Sequence, residues 1–205
     1  MKQLQEKKVL SKVDLFFGYN DYRSKPHITI YLEPLNYWGA HAINFERLRG
    51  ETETKNVAFQ IGPSRQPAQF LDSQIEFNLN KFNIRTVWHE SSHIYLKKAL
   101  AENQKEIGKL SKLFNAKDLA SQNIKTWKYA LEENLVRAIV AVITKQEMGE
   151  DEYKREIANQ TRRGFIYTKT LSEVIVSEYT KKKNVYKNFD EFMPKIIDSL
   201  KDKES

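Results

Sequence analysis

Residues 86–96, Thr86-Val87-Trp88-His89-Glu90-Ser91-Ser92-His93-Ile94-Tyr95-Leu96, contain the pattern His-Glu-x-x-His. On a helix, residues four apart lie on one face a single turn apart, so both imidazoles can reach one ion. A carboxylate beside such a pair can take a proton from a metal-activated water. The chain has four histidines and two of them are here. Without an ion, two neutral imidazoles on one buried face would each need a hydrogen-bond partner of their own. The spacing therefore predicts Zn2+ as cofactor, His89 and His93 as ligands and Glu90 as general base.

A catalytic zinc takes a third protein ligand and keeps a fourth position open for water. The extended metzincin pattern would place Gly at position 96 and His or Asp at position 99, where this chain has Leu96 and Ala99. The other common solution is a Glu on a second helix. Residues 127–143, from Trp127 to Ile143, read as a strongly apolar helix with Glu132 and Glu133 in its first half. A carboxylate on a buried helix needs a partner, and a metal is one. Arg137 lies four residues after Glu133, on the same face, and can hydrogen-bond that carboxylate or the site around it. Glu133 is the preferred ligand and Glu132 the alternative; an exposed acidic edge paired with Arg137 in solvent is the competing reading. For the oxyanion of a tetrahedral intermediate, Tyr167 is the first candidate donor, because Gly164 lets the chain come close and a phenol can donate. Arg163 is the second, and a core role for Tyr167 competes. His27 and His41 fall in predicted strands and are read as surface or core residues.

The elements that position these groups divide into a strand-rich front and a helical back. Residues 13–17, 27–32, 39–45 and 57–62 read as strands, rich in β-branched and aromatic residues or alternating in polarity. Residues 49–56 form a polar connection, and Gly62-Pro63 closes the last strand. From about Phe82 the chain reads as helical, with breaks near Asn115, Gly149, Gly164 and Asn184. Apolar residues surround the 82–100 helix, as expected of a central element. The expected fold class is α+β: a strand-rich sheet from 13–62 packed on a central active-site helix, with a helical half over 82–200.

Length and composition bound the rest. At 205 residues the chain is expected to form one domain, 1–205, and 40% hydrophobic with 12% aromatic content argues against disorder. Zero cysteines exclude a disulfide scaffold and any thiolate metal site. No apolar run approaches the ~20 residues of a membrane span. The charged start, Met1 to Lys8, has no signal-peptide pattern. The net charge of +7 comes largely from dispersed lysines such as Lys181-Lys182-Lys183 and Lys195, which suit a solvated helical surface better than a nucleic-acid footprint.

His89-Glu90-x-x-His93, then Glu133-Asn134-Leu135-Val136-Arg137-Ala138 and Gly164-Phe165-Ile166-Tyr167, resemble a group of uncharacterised bacterial proteins. That group is catalogued as a domain of unknown function and predicted to consist of gluzincin-like zinc metallopeptidases. The resemblance runs from about Val13 to Ile197 and includes Tyr37-Trp38-Gly39 and Ile61-Gly62-Pro63, although the group often has a plain Tyr-Gly where Trp38 intervenes here. It implies a zincin-like fold, a peptide or protein substrate, and a site carrying His89, Glu90, His93, Glu133 and Tyr167. It also implies a secreted or periplasmic setting, since members are often exported. Two other classes stay open: a non-catalytic zincin-like metal-binding domain, and a protein-interaction module whose histidines are core residues.

Overall fold

Val9, Val13, Phe16 and Phe17 follow one another at spacings of four, three and one, and all four are buried on one face of helix α1 (Val9–Phe17). Leu15, off that face, is 56% exposed. The β-branched and aromatic content of residues 13–17 suggests a strand, but the helical period of the apolar positions decides the outcome.

The computed structural model describes residues 8–19, 27–32, 41–44, 56–61, 81–115, 117, 119–182 and 184–201. Two compact units can be distinguished: Met1–Leu15 with Tyr19–Ile94, and Phe16–Gly18 with Tyr95–Ser205.

The first unit holds most of α1 and three short strands, β1 (His27–Leu32), β2 (His41–Asn44) and β3 (Asn56–Ile61). The strands are ordered β1-β3-β2. β3 runs parallel to β1, with Ile28 opposite Val57, and antiparallel to β2, with Ile43 opposite Ala58. The sequence readings at residues 39–40, 45 and 49–55, at Gly62-Pro63, and at Tyr37-Trp38 lie outside the described residues. The unit also contains α2 (Lys81–Glu102) as far as Ile94. Val87, Trp88, Glu90, Ser91 and Ser92 are all buried, so burial runs most of the way round this helix. The Trp88 indole donates to the Val9 carbonyl at 3.0 Å, and the Ser92 hydroxyl to the Trp88 carbonyl at 2.7 Å.

The second unit is built on helices. After the last turns of α2 come α3 (Gln104–Lys109), two short 3-10 turns, α4 (Trp127–Met148), α5 (Glu150–Arg162), α6 (Thr168–Val174) running into a π-helical turn at Ile175–Thr180, and α7 (Phe189–Lys201). From Asn134 to Thr144 every residue of α4 is buried, and the helix packs on α5 and α6. The Thr126 hydroxyl caps α4 by accepting from the Tyr129 N–H. Gly149, at φ +95°, closes α4 and opens α5, whose first turn carries Glu150, Asp151 and Glu152 where negative charge suits the helix dipole. Phe16, Phe17, Tyr95, Tyr179, Phe189 and Phe192 form an aromatic cluster, and the Tyr179 hydroxyl donates to the Phe16 carbonyl at 2.8 Å.

The α+β expectation is therefore corrected. Among the described residues the chain is predominantly helical, residues 13–17 belong to a helix instead of a strand, and strands are confined to β1, β2 and β3, so the fold is set by its helices and not by a strand-rich sheet. Helices from Lys81 onward do match the reading of the back half. Among the described residues no helix is long and apolar enough to cross a membrane.

Candidate metal centre

His89 and His93 lie one turn apart on α2, both half-buried. Their Nε2 atoms are 3.3 Å apart and their rings meet edge to face, with centroids 4.9 Å apart at 81°. Glu90 follows His89 and is 9% exposed, so its carboxylate is largely withdrawn from bulk water.

On α4, Glu133 and Arg137 are paired across one turn. Arg137 donates through NH1 to the Glu133 carboxylate and to the Glu133 carbonyl. Its Nε donates to the Gln160 side-chain oxygen at 3.0 Å, and the Gln160 amide donates in turn to Glu156 at 2.6 Å. The guanidinium carbon sits 3.8 Å from the centre of the Phe165 ring. Arg137 is thus held on three sides, and it restrains Glu133. Burial pushes the Arg137 guanidinium below its ordinary value, and the Glu133 charge opposes that shift. Glu132, the alternative ligand, is half-buried.

Among the described residues, His89, His93 and Glu133 form a group of metal-ligand type, each half-buried, whose donor atoms lie within 4.8 Å of one another. Two imidazoles and one carboxylate are the donor chemistry of a three-ligand zinc site. The His89–His93 separation of 3.3 Å also fits. Two nitrogens at tetrahedral angles around zinc, each at about 2.0–2.1 Å, stand about 3.3–3.4 Å apart. The residues present suit a divalent ion.

Tyr167 is placed differently. Its hydroxyl donates to the Leu113 carbonyl at 2.7 Å, and its ring meets Trp127 edge to face. Its backbone N–H donates to the Asn134 side-chain oxygen at 3.0 Å, and the Thr168 hydroxyl shares that acceptor at 3.3 Å. Asn134, 1% exposed, completes the arrangement by donating to the Ala130 carbonyl at 2.8 Å. Arg163 is exposed, donating to the Gln122 side-chain oxygen at 2.9 Å and to Gln160 at 3.4 Å. Gln160, Glu156 and Asn134 were not singled out from sequence. Their partners lie 23 to 34 residues away or are ordinary helix neighbours, so no local pattern marks them.

The architecture and donor set define a mainly helical protein with a candidate His₂Glu centre. Residues 50–199 match the model of a family described as a domain of unknown function, DUF4932. The chain belongs to that family. Comparison with curated proteins and with solved structures gives no match.

Proposed function

We propose that this protein is a zinc-dependent peptide hydrolase, in which His89, His93 and Glu133 hold the ion and Glu90 is the general base. The observation that carries the reading is the convergence of three donor atoms within 4.8 Å, two of them from a His-Glu-x-x-His turn. A divalent ion held there would supply a Lewis acid and lower the pKa of a bound water to about 7. Glu90 would accept the proton of the attacking water on a carboxylate oxygen and later give it to the leaving amine. Arg137 would keep Glu133 in position, since it is itself fixed by Gln160 and the Phe165 face. Tyr167 is left out of the catalytic set, because its hydroxyl hydrogen is committed to the Leu113 carbonyl.

Metal analysis tests the first half. Protein never exposed to chelator or low pH should carry about one zinc per chain, and less than about a tenth of an equivalent would reject the reading. Peptide cleavage by the zinc-loaded protein tests the second half; a protein that binds zinc and cleaves no member of a diverse peptide pool would be a metal-binding domain only.

A further inference from the structure

Two guanidiniums in the second unit converge on one neutral acceptor. Arg137 Nε and Arg163 NH1 lie 3.0 Å and 3.4 Å from the same Gln160 oxygen. Both also stand over the Phe165 ring, at 3.8 Å and 5.6 Å from its centre. The Arg137 side chain is nine-tenths buried, and its NH2 takes part in no hydrogen bond among the described residues. Arg163 is exposed, and its two hydrogen bonds go to amide oxygens rather than to a carboxylate. Glu133 and Glu156 offset the charge of Arg137, whereas both hydrogen bonds of Arg163 go to neutral acceptors and its charge weighs against Arg137. A guanidinium stacked on an aromatic face keeps its edge available for a planar, bidentate acceptor.

We propose that Arg137 and Arg163 form a recognition site for a carboxylate carried by the peptide substrate. Arg163 meets the anion from solvent, and Arg137, whose NH2 makes no hydrogen bond among the described residues, supplies a second donor. Naming a peptide as carrier rests on the hydrolase reading; the anion site itself does not. The one carboxylate near Arg137 on α4, Glu133, is the group assigned to the metal. A metal-loaded site would therefore leave the two arginines with a larger local excess of positive charge than the free donor set.

The test uses full-length, zinc-loaded protein carrying Glu90→Gln, so that hydrolysis does not consume the probe. Three peptides are titrated calorimetrically: N-acetyl-trialanine with a free C-terminus, its C-terminal amide, and N-acetyl-Ala-Glu-Ala amide. The expected result is that at least one carboxylate-bearing peptide binds about tenfold or more tightly than trialanine amide. Which of the two does so separates recognition of a C-terminus from recognition of an acidic side chain. Arg163→Gln, an exposed change that should leave the fold intact, is expected to remove that advantage, and Arg163→Lys to retain part of it. Equal binding of acid and amide, no binding by any of the three, or an advantage unchanged in Arg163→Gln would each overturn the proposal. Arg163-dependent carboxylate binding, together with no cleavage of a diverse peptide pool by the zinc-loaded protein with Glu90 intact, would uphold the anion site and reject the hydrolase reading.

Discussion

The Nε2 atoms of His89 and His93 lie 3.3 Å apart on one turn of α2. At that distance both nitrogens cannot carry protons directed at each other. One must accept, or both must turn their lone pairs toward a shared cation. A divalent ion would satisfy both rings at once, and on the proposed reading a neighbouring carboxylate would offset part of its charge. The pair alone leaves that charge unbalanced, and this gives Glu133 its importance.

Glu133→Gln keeps the size of the side chain but removes its charge, so zinc affinity should fall by about two orders of magnitude or more. Glu132→Ala should change it less than about threefold, because adjacent helix positions project about 100° apart. Both affinities are to be measured in one buffer at one pH, since ligand protonation makes them pH-dependent. Release of the metal by Glu132→Ala with retention by Glu133→Gln would move the assignment by one residue.

Glu90→Gln should leave the zinc content near that of the unchanged protein and lower any peptide cleavage by about 10³-fold or more, as expected for a group that handles the proton and not the ion. Metal analysis and a cleavage assay on the same preparation decide it. Loss of zinc in this variant would make Glu90 a ligand or a structural group instead.

How much of this was legible depends on the range of each interaction. The His89–His93 pair and the Glu133–Arg137 pair are separated by four residues, within reach of a helical-period reading, and the structure places both as helix neighbours. Residues 13–17 misled because residue type and period disagreed. Val13, Phe16 and Phe17 suit a strand by composition, yet with Val9 they make one helical face. The long-range hydrogen bonds were invisible for another reason. Gln160 reaches Arg137 across 23 residues, and Asn134 reaches Tyr167 across 33, so only the packed helices bring them together.

Asn134 ties α4 to the segment after α5 through one side-chain oxygen that accepts from the Tyr167 N–H and the Thr168 hydroxyl. Asn134→Leu keeps the branching and the number of side-chain heavy atoms but would leave both donors facing an apolar group. Each buried, unsatisfied group costs about 1–3 kcal/mol, so the change should destabilise by about 2–4 kcal/mol. In thermal unfolding this corresponds to a fall of roughly 4–16 °C for a chain of this size. A shift below about 2 °C would mean that these donors find other acceptors.

Two glycines should respond to alanine in opposite directions. Gly18 has φ +81°, and a Cβ there would collide with the Lys187 carbonyl and come within 2.9 Å of the Asn188 Cα. Both the backbone conformation and the close approach oppose a side chain, and neither obstacle is a flexible side-chain tip. Gly18→Ala should therefore destabilise by about 1–3 kcal/mol or more. Gly108, inside α3, has no atom within 4 Å of a built Cβ and an ordinary φ. There alanine only reduces the freedom of the unfolded chain and favours the helix, so Gly108→Ala should stabilise by about 0.5–1 kcal/mol. Chemical denaturation of both variants beside the unchanged protein gives the comparison. A neutral Gly18→Ala would show that the chain around Lys187 and Asn188 yields to a methyl group. The clamp at the end of α1 would then be looser than its geometry indicates.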